Sequence, residues 1–171
     1  RGVGRSQGTY DRGEGELTML ELAQCFLDNA GILEEIKGIA FIKKNGKYCC
    51  NSSQALIKNL DKLPFIDAKY SLNSDFRREH SAIMTGRGCP FRCSFCHEGH
   101  HNKVVRLRSV PNVLQEIKEI LEKHPQQKYI LFTDDTFTLD PMRVKVLCAG
   151  MKEMQKEKPF VWFCEGHVKT L

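Results

Sequence analysis

The chain has 171 residues, 41% of them apolar and 27% charged, and its 26 basic and 21 acidic side chains leave a net charge of +5. A disordered chain would be poorer in apolar residues and more strongly charged, so these proportions describe a globular chain of one or two domains. No apolar run approaches the roughly 18 residues of a membrane helix, residues 1–8 lack the hydrophobic stretch of a signal peptide, and the basic residues are too spread out to form a nucleic-acid-binding stripe.

Thr18 and Glu21 have the Thr-x-x-Glu spacing of a capping box, and Leu17 and Leu22 stand where a hydrophobic staple would. Leu20, Ala23, Leu27 and Ala30 recur at helical spacing and Gly31 supplies a left-handed stop, which predicts a helix over 19–30. Two apolar runs, Ile39 to Ile42 and Tyr48 to Cys50, flank Asn45-Gly46 and predict a β-hairpin. From Leu63-Pro64 to Glu79 neither helical nor strand periodicity is present, and the stretch reads as an interdomain connection.

Beyond it the rhythm is strand, loop, helix, repeated. Ser81 to Thr85, Tyr129 to Thr133 and Phe160 to Phe163 read as strands. Val113, Leu114, Ile117, Ile120 and Leu121 form one helical face closed by His124-Pro125, and Asp140 caps a second helix that starts at Pro141 and buries Val144, Leu147, Met151 and Met154. Strands alternating with helices of this length imply parallel βαβ units. Three strands cannot close an eight-stranded barrel, which needs at least about 200 residues. The sequence therefore reads as a fragment, the end of one domain (1–63), a linker (64–79) and the beginning of another (80–171).

Eight cysteines with no secretion signal read as reduced thiols, which places the protein in the cytoplasm. Three of them lie within eight residues, in Cys89-Pro90-Phe91-Arg92-Cys93-Ser94-Phe95-Cys96, directly after a predicted strand end. Soft thiolates gathered on one loop are metal or cluster ligands, and three of them leave one metal position open, where structural zinc wants four closed ligands. In (β/α) barrels chemistry sits on the loops after the strands. Here those loops carry the cysteines, then Asp134-Asp135, then Glu165 and His167.

This CxxxCxxC pattern, with Phe95 just before the third cysteine, resembles the radical S-adenosylmethionine (SAM) superfamily. Thr85-Gly86-Arg87-Gly88, Arg106-Leu107-Arg108-Ser109 and Thr133-Asp134-Asp135-Thr136-Phe137 are similar to its cobalamin-dependent branch. Arg12-Gly13-Glu14-Gly15-Glu16, the following helix and Gly38-Ile39-Ala40 resemble the tail of that branch's cobalamin-binding domain. The resemblance implies an α/β chain: the first three strands of a (β/α) radical SAM barrel, preceded by the C-terminal part of a Rossmann-like cobalamin-binding domain. It further implies an enzyme in which Cys89, Cys93 and Cys96 hold three irons of a 4Fe-4S cluster. The fourth iron is chelated by SAM, whose reductive cleavage yields a 5′-deoxyadenosyl radical.

By the same resemblance the Phe95 backbone contacts the adenine of SAM. Asp134 or Asp135 stands in for the carboxylate of the family's Gly-Gly-Glu run, which meets the ammonium of SAM. Cobalamin, a small-molecule substrate and a reductant protein such as ferredoxin or flavodoxin are the further implied partners. The implied reaction is methyl transfer to an unactivated carbon, or a related radical rearrangement or ring closure. No residue is assigned as a cobalt ligand, because Asp-x-His-x-x-Gly is absent, and no catalytic acid, base or nucleophile is assigned.

The alternative reading of the cysteines is a small zinc-binding interaction module in which His100 or His101 supplies the fourth ligand. His97, His80, His124 and His167 read as loop or element-end residues. Cys25, Cys49, Cys50, Cys148 and Cys164 read as small buried hydrophobes. Arg106 and Arg108 alternate on an extended segment, either as a solvated face or as contacts to a bound carboxylate.

Overall fold

The computed structural model describes residues 14–27, 32–66, 79–96 and 103–170, and these fall into two compact units divided between Lys58 and Asn59. Among the described residues no helix is long and apolar enough to cross a membrane.

In the first unit, helix α1 (Gly15–Leu27) begins ahead of the expected cap, so Thr18 lies inside it and no capping box forms. The Thr18 hydroxyl instead donates to the Lys37 carbonyl at 2.9 Å. Gly38, at φ +80°, admits this approach, since a Cβ there would stand 2.6 Å from Thr18 Oγ1. Glu14 and Glu21 share the Thr18 face of the helix. Glu14 accepts from Ile57 N and Glu21 from Gln54 Nε2. Three polar contacts thus tie this side of the helix to Lys37, Gln54 and Ile57, with Thr18 itself buried. The expected apolar stripe is corrected: Leu20, Ala23 and Leu27 are exposed. Ala30 and Gly31, the expected helix stop, lie outside the described residues.

Strands β1 (Ala40–Ile42) and β2 (Tyr48–Cys50) form the expected antiparallel hairpin, with Phe41 opposite Cys49. Lys43 and Lys47 close a three-residue loop in which Gly46 takes φ +80°. That is a type I turn followed by a left-handed residue, a geometry a glycine adopts without steric cost. The Asn51 amide donates to the Leu33 and Ile36 carbonyls and so fastens the short 3-10 turn at Leu33–Glu35 to the hairpin.

The second unit starts ahead of the Leu63 boundary read from the sequence, because Asn59 to Phe65 is built into it. Asn59 caps a 3-10 turn at Leu60–Lys62, Leu60 is buried, and Asp61 accepts from Ser109 N at 2.8 Å. Residues 67–78 of the expected linker lie outside the described residues.

Strands β3 (His80–Ile83), β6 (Tyr129–Phe132) and β7 (Val161–Cys164) form a parallel sheet in that order, with Ile83 opposite Phe132 and Phe132 opposite Cys164. Between β3 and β6 the chain runs through the short strands β4 (Gly86–Arg87) and β5 (Arg106–Leu107), a ribbon with no counterpart in the sequence reading, and helix α2 (Val110–Lys123). Helix α3 (Pro141–Glu157) connects β6 to β7.

Both helices start on side-chain caps, Ser109 accepting from Asn112 N and Asp140 from Arg143 N, with a proline in the first turn of each. The ammonium of Lys158 donates to the carbonyls of Leu121 and His124, satisfying acceptors left free at the end of α2. Ile83, Ile130 and Phe132 from the sheet pack with Val113 and Ile117 from α2 and Leu147 and Met151 from α3. Alternation along β6 divides the sheet's two faces: Ile130 is 0% exposed and Leu131 46%. Ile130→Ala is expected to lower the stability of this chain by about 2–5 kcal/mol and Leu131→Ala by less than half as much. Shifts of the urea midpoint at constant slope measure both; equal shifts would mean that the two faces are packed alike.

Candidate functional site

Parallel strands deliver the loops after β3, β6 and β7 to one edge of the sheet, and named contacts join the three. The first is at Thr85, directly after β3. Its N–H and hydroxyl donate to the two oxygens of Asp134, which follows β6, each at 2.5 Å. The Thr85 carbonyl accepts from Arg108 N at 2.9 Å and from the Arg143 guanidinium at 3.1 Å. Every polar group of Thr85 is therefore held.

Asp134 is 4% exposed. Burial holds its carboxyl above the ordinary aspartate range, against the opposing pull of the Thr85 and Gly86 donors and the Arg143 charge. Burial likewise lowers Arg143 from the usual guanidinium value, with Asp134 the foremost group acting the other way. For both partners desolvation outweighs their mutual attraction.

After Thr85 the ribbon β4–β5 gathers both ends of the cysteine loop, with Gly86 opposite Leu107 and Arg87 opposite Arg106. A Cβ at Gly86 would stand 2.6 Å from Leu107 Cδ2, 3.3 Å from the Arg106 carbonyl oxygen and 3.4 Å from Asp134 Oδ2, so a larger residue there would displace the Leu107 side chain. Gly88, at φ +86°, turns the chain out of the ribbon, and its N–H donates to Asp135 Oδ2 at 3.1 Å.

Cys89 is buried, with its sulfur 3.3 Å from Thr136 Oγ1. Cys93 and Cys96 are half-buried and share one turn, in which Cys96 N donates to the Cys93 carbonyl at 3.0 Å. Phe95 stands 91% exposed. The third loop joins through Phe91, whose ring stacks on His167 at 3.7 Å, and through Phe137 N, which donates to the Glu165 carbonyl at 2.9 Å. His167 is half-buried under Phe91 and also stands at an element end as expected, its Nδ1 accepting from Lys169 N at 3.1 Å ahead of the 3-10 turn Val168–Thr170.

The solvated-face reading of Arg106 and Arg108 is corrected. Arg106 is buried in the ribbon. Arg108 pairs with the buried Glu116 at 2.5 Å, donates to Asn112 and to the Met84 carbonyl, and lies over the Phe65 ring at 5.3 Å. Its carboxylate partner is the chain's own α2. The ribbon pairing causes this, because it draws the segment onto the helix start. Cys148 and Cys164 pack half-buried against the core, and Cys25, Cys49 and Cys50 are also half-buried.

Thr85, Thr136 and Arg143 enter the site without having been singled out as site residues. Arg143 carried no local signal, since an arginine in a first helical turn reads as solvated. Thr85 and Thr136 did stand inside the quoted motifs.

Among the described residues no three His, Cys, Asp or Glu side chains converge where one metal ion could sit. His97, His100 and His101 lie outside the described residues. Three cluster thiolates each bind a different iron, so they need a shared loop rather than a common point. One buried and two half-buried free thiols on a loop anchored at Gly88 and Cys89 fit such a group in donor chemistry.

The Thr85 contact carries a stability expectation. Thr85→Val leaves Asp134 Oδ2 short of a donor in a buried site and should cost about 1–3 kcal/mol. Because the folded-state value of Asp134 lies above the unfolded one, stability held through its proton is complete below the unfolded aspartate range and is lost as pH rises through the raised value. The stability of the wild type relative to Asp134→Asn should therefore fall with rising pH in parallel urea titrations. A difference independent of pH would show that Asp134 titrates as an ordinary surface aspartate.

Residues 83–167 match the family described as the Radical SAM superfamily. The chain is 34% identical over 163 residues to an uncharacterized methyltransferase of Pyrococcus horikoshii, covering 93% of this chain and 34% of that protein. It is 26% identical over 165 residues to the anaerobic magnesium-protoporphyrin IX monomethyl ester cyclase of Rubrivivax gelatinosus, covering 92% of this chain and 26% of that one. Among solved structures, the cobalamin-dependent S-adenosylmethionine radical enzyme OxsB, with aqua-cobalamin and S-adenosylmethionine bound, superposes with a TM-score of 0.69 at 25% identity, over 88% of this chain and 21% of that one. The radical S-adenosylmethionine methyltransferase TsrM from Kitasatospora setae shares the fold with a TM-score of 0.58 at 18% identity, over 85% of this chain and 30% of that one. The chain spans about a third or less of the length of these relatives. With its cysteine loop, parallel sheet and family match over one segment, the chain belongs to the radical SAM superfamily.

Proposed function

We propose that this chain is part of a cobalamin-dependent radical SAM enzyme, in which Cys89, Cys93 and Cys96 each bind one iron of a 4Fe-4S cluster and SAM completes the fourth. The observation that carries the reading is the tethering of the cysteine loop to the loop after β6, through Gly88 to Asp135 and Cys89 to Thr136. Thiols meant only to fill a core need no such tether to a neighbouring acidic loop. When bound, the cluster supplies the one electron that cleaves SAM reductively.

The protein's own residues would divide the rest of the work. Both oxygens of Asp134 are engaged by Thr85, whereas Asp135 is exposed, so Asp135 is the carboxylate we assign to the SAM ammonium. Phe95, exposed between Cys93 and Cys96, presents its backbone to the adenine. Residues 80–171 would be the first three strands of the barrel, and 1–63 the end of a cobalamin-binding domain. Two relatives named as methyltransferases favour methyl transfer as the reaction. A reductant protein, a small-molecule substrate and a reducing cytoplasm complete the reading.

The test is anaerobic reconstitution of the full-length protein with iron and sulfide. Replacing Cys89, Cys93 or Cys96 by Ala should abolish the cluster's visible absorption and SAM cleavage together, while Cys25→Ala, Cys148→Ala and Cys164→Ala keep both. Equal loss from the two sets would reject the ligand assignment, and a colourless protein holding zinc would reject the reading itself.

A second expectation concerns SAM. A charge-assisted hydrogen bond contributes roughly 1.5–3 kcal/mol, so Asp135→Asn should weaken SAM binding by about 10 to 100-fold with the cluster retained. Unchanged affinity in equilibrium binding would remove Asp135 from the site.

A further inference from the structure

We infer that Thr136 is a positioning residue that sets the reduction potential of the cluster, by donating its hydroxyl hydrogen to the sulfur of Cys89. The inference rests on the assignment of Cys89 as an iron ligand. Thr136 and Cys89 are both buried, with Oγ1 and Sγ 3.3 Å apart. The same hydroxyl lies 2.7 Å from the carbonyl of Asp135. One hydroxyl proton thus faces two acceptors. In the metal-free chain a thiol can donate to Thr136 Oγ1 while Thr136 donates to the carbonyl, and both bonds are made. An iron-bound sulfur carries no proton and can only accept. The Thr136 hydroxyl is then the donor set against it, and rotation of one O–H bond moves the proton from carbonyl to sulfur.

Thr136 is not free to turn away. Asp135 before it accepts from Gly88 N, and Phe137 after it is buried on Phe132, ring centroids 4.7 Å apart. Reduction adds one negative charge to a cluster, and a donor aimed at a ligating sulfur stabilises the reduced state more than the oxidised one. Burial strengthens the effect, because little water competes for the sulfur.

The test is an anaerobic titration of the reconstituted full-length protein, in which dithionite gives one electron to the cluster and no bond is made or broken. The reduced cluster is followed by electron paramagnetic resonance. Thr136→Val should keep its cluster and become harder to reduce, by roughly tenfold in the equilibrium constant, which is about 59 mV for one electron. Thr136→Ser, which keeps the hydroxyl, should hold the wild-type potential. A side chain that only packs would change stability or iron content and leave the potential alone. If Val disturbs the loop enough to lose the cluster, Thr136→Ala against Thr136→Ser makes the same comparison with less change in shape. A loaded variant at the wild-type potential overturns this inference alone, whereas a wild-type protein that takes up no cluster overturns the ligand assignment with it.

Discussion

The bond pair between Thr85 and Asp134 is the contact on which the arrangement of the site depends. Thr85 follows the first strand of the parallel sheet and Asp134 the central one, and the two meet in the interior, where a carboxyl group is costly to leave unpaired. The two residues after Asp134 inherit that fixed spacing. Asp135 takes the Gly88 amide and Thr136 takes Cys89, so three successive residues after β6 hold three points between Thr85 and Cys89. Gly86 and Gly88 within that segment would otherwise have many conformations to lose.

The helices complete the clamp from the other side. Arg143, in the first turn of α3, reaches the Thr85 carbonyl, while Arg108 is held by Glu116 of α2 and by the Phe65 ring. Desolvation offsets much of the attraction in such buried ion pairs. Their consequence here is geometric: Glu116 and Asn112 hold Arg108 in place, and the Arg108 amide meets Thr85 from across the ribbon. Apolar burial on one face of the sheet, through Ile130, Phe132, Leu147 and Met151, supplies the stability that such polar contacts do not.

The same geometry separates two acidic neighbours into two roles. Asp134 is used up in architecture, and Asp135 faces outward. The division follows from the turn after β6, which sends Asp134 into the interior and leaves Asp135 exposed, and it gives a motif that reads as a pair of equivalent carboxylates two different environments. His167 also serves twice, accepting from Lys169 N as an element-end residue does and carrying the ring of Phe91 from the cysteine loop.

Much of the fold was legible locally. Asn45-Gly46 between two apolar runs, Asp140-Pro141 before an apolar stripe and three β-rich segments at βαβ spacing all became the elements they signalled, because each signal is a backbone or capping preference carried within a few residues. The cysteine spacing likewise pointed to the superfamily in the sequence alone. Tertiary structure decided which competing partner each polar side chain took. Thr18 left its capping box for the Lys37 carbonyl, Arg108 left solvent for Glu116, and Thr85, Thr136 and Arg143 entered the site, all through partners from 8 to 58 residues away. Such choices depend on what burial removes from water, and no pattern within a single segment records that.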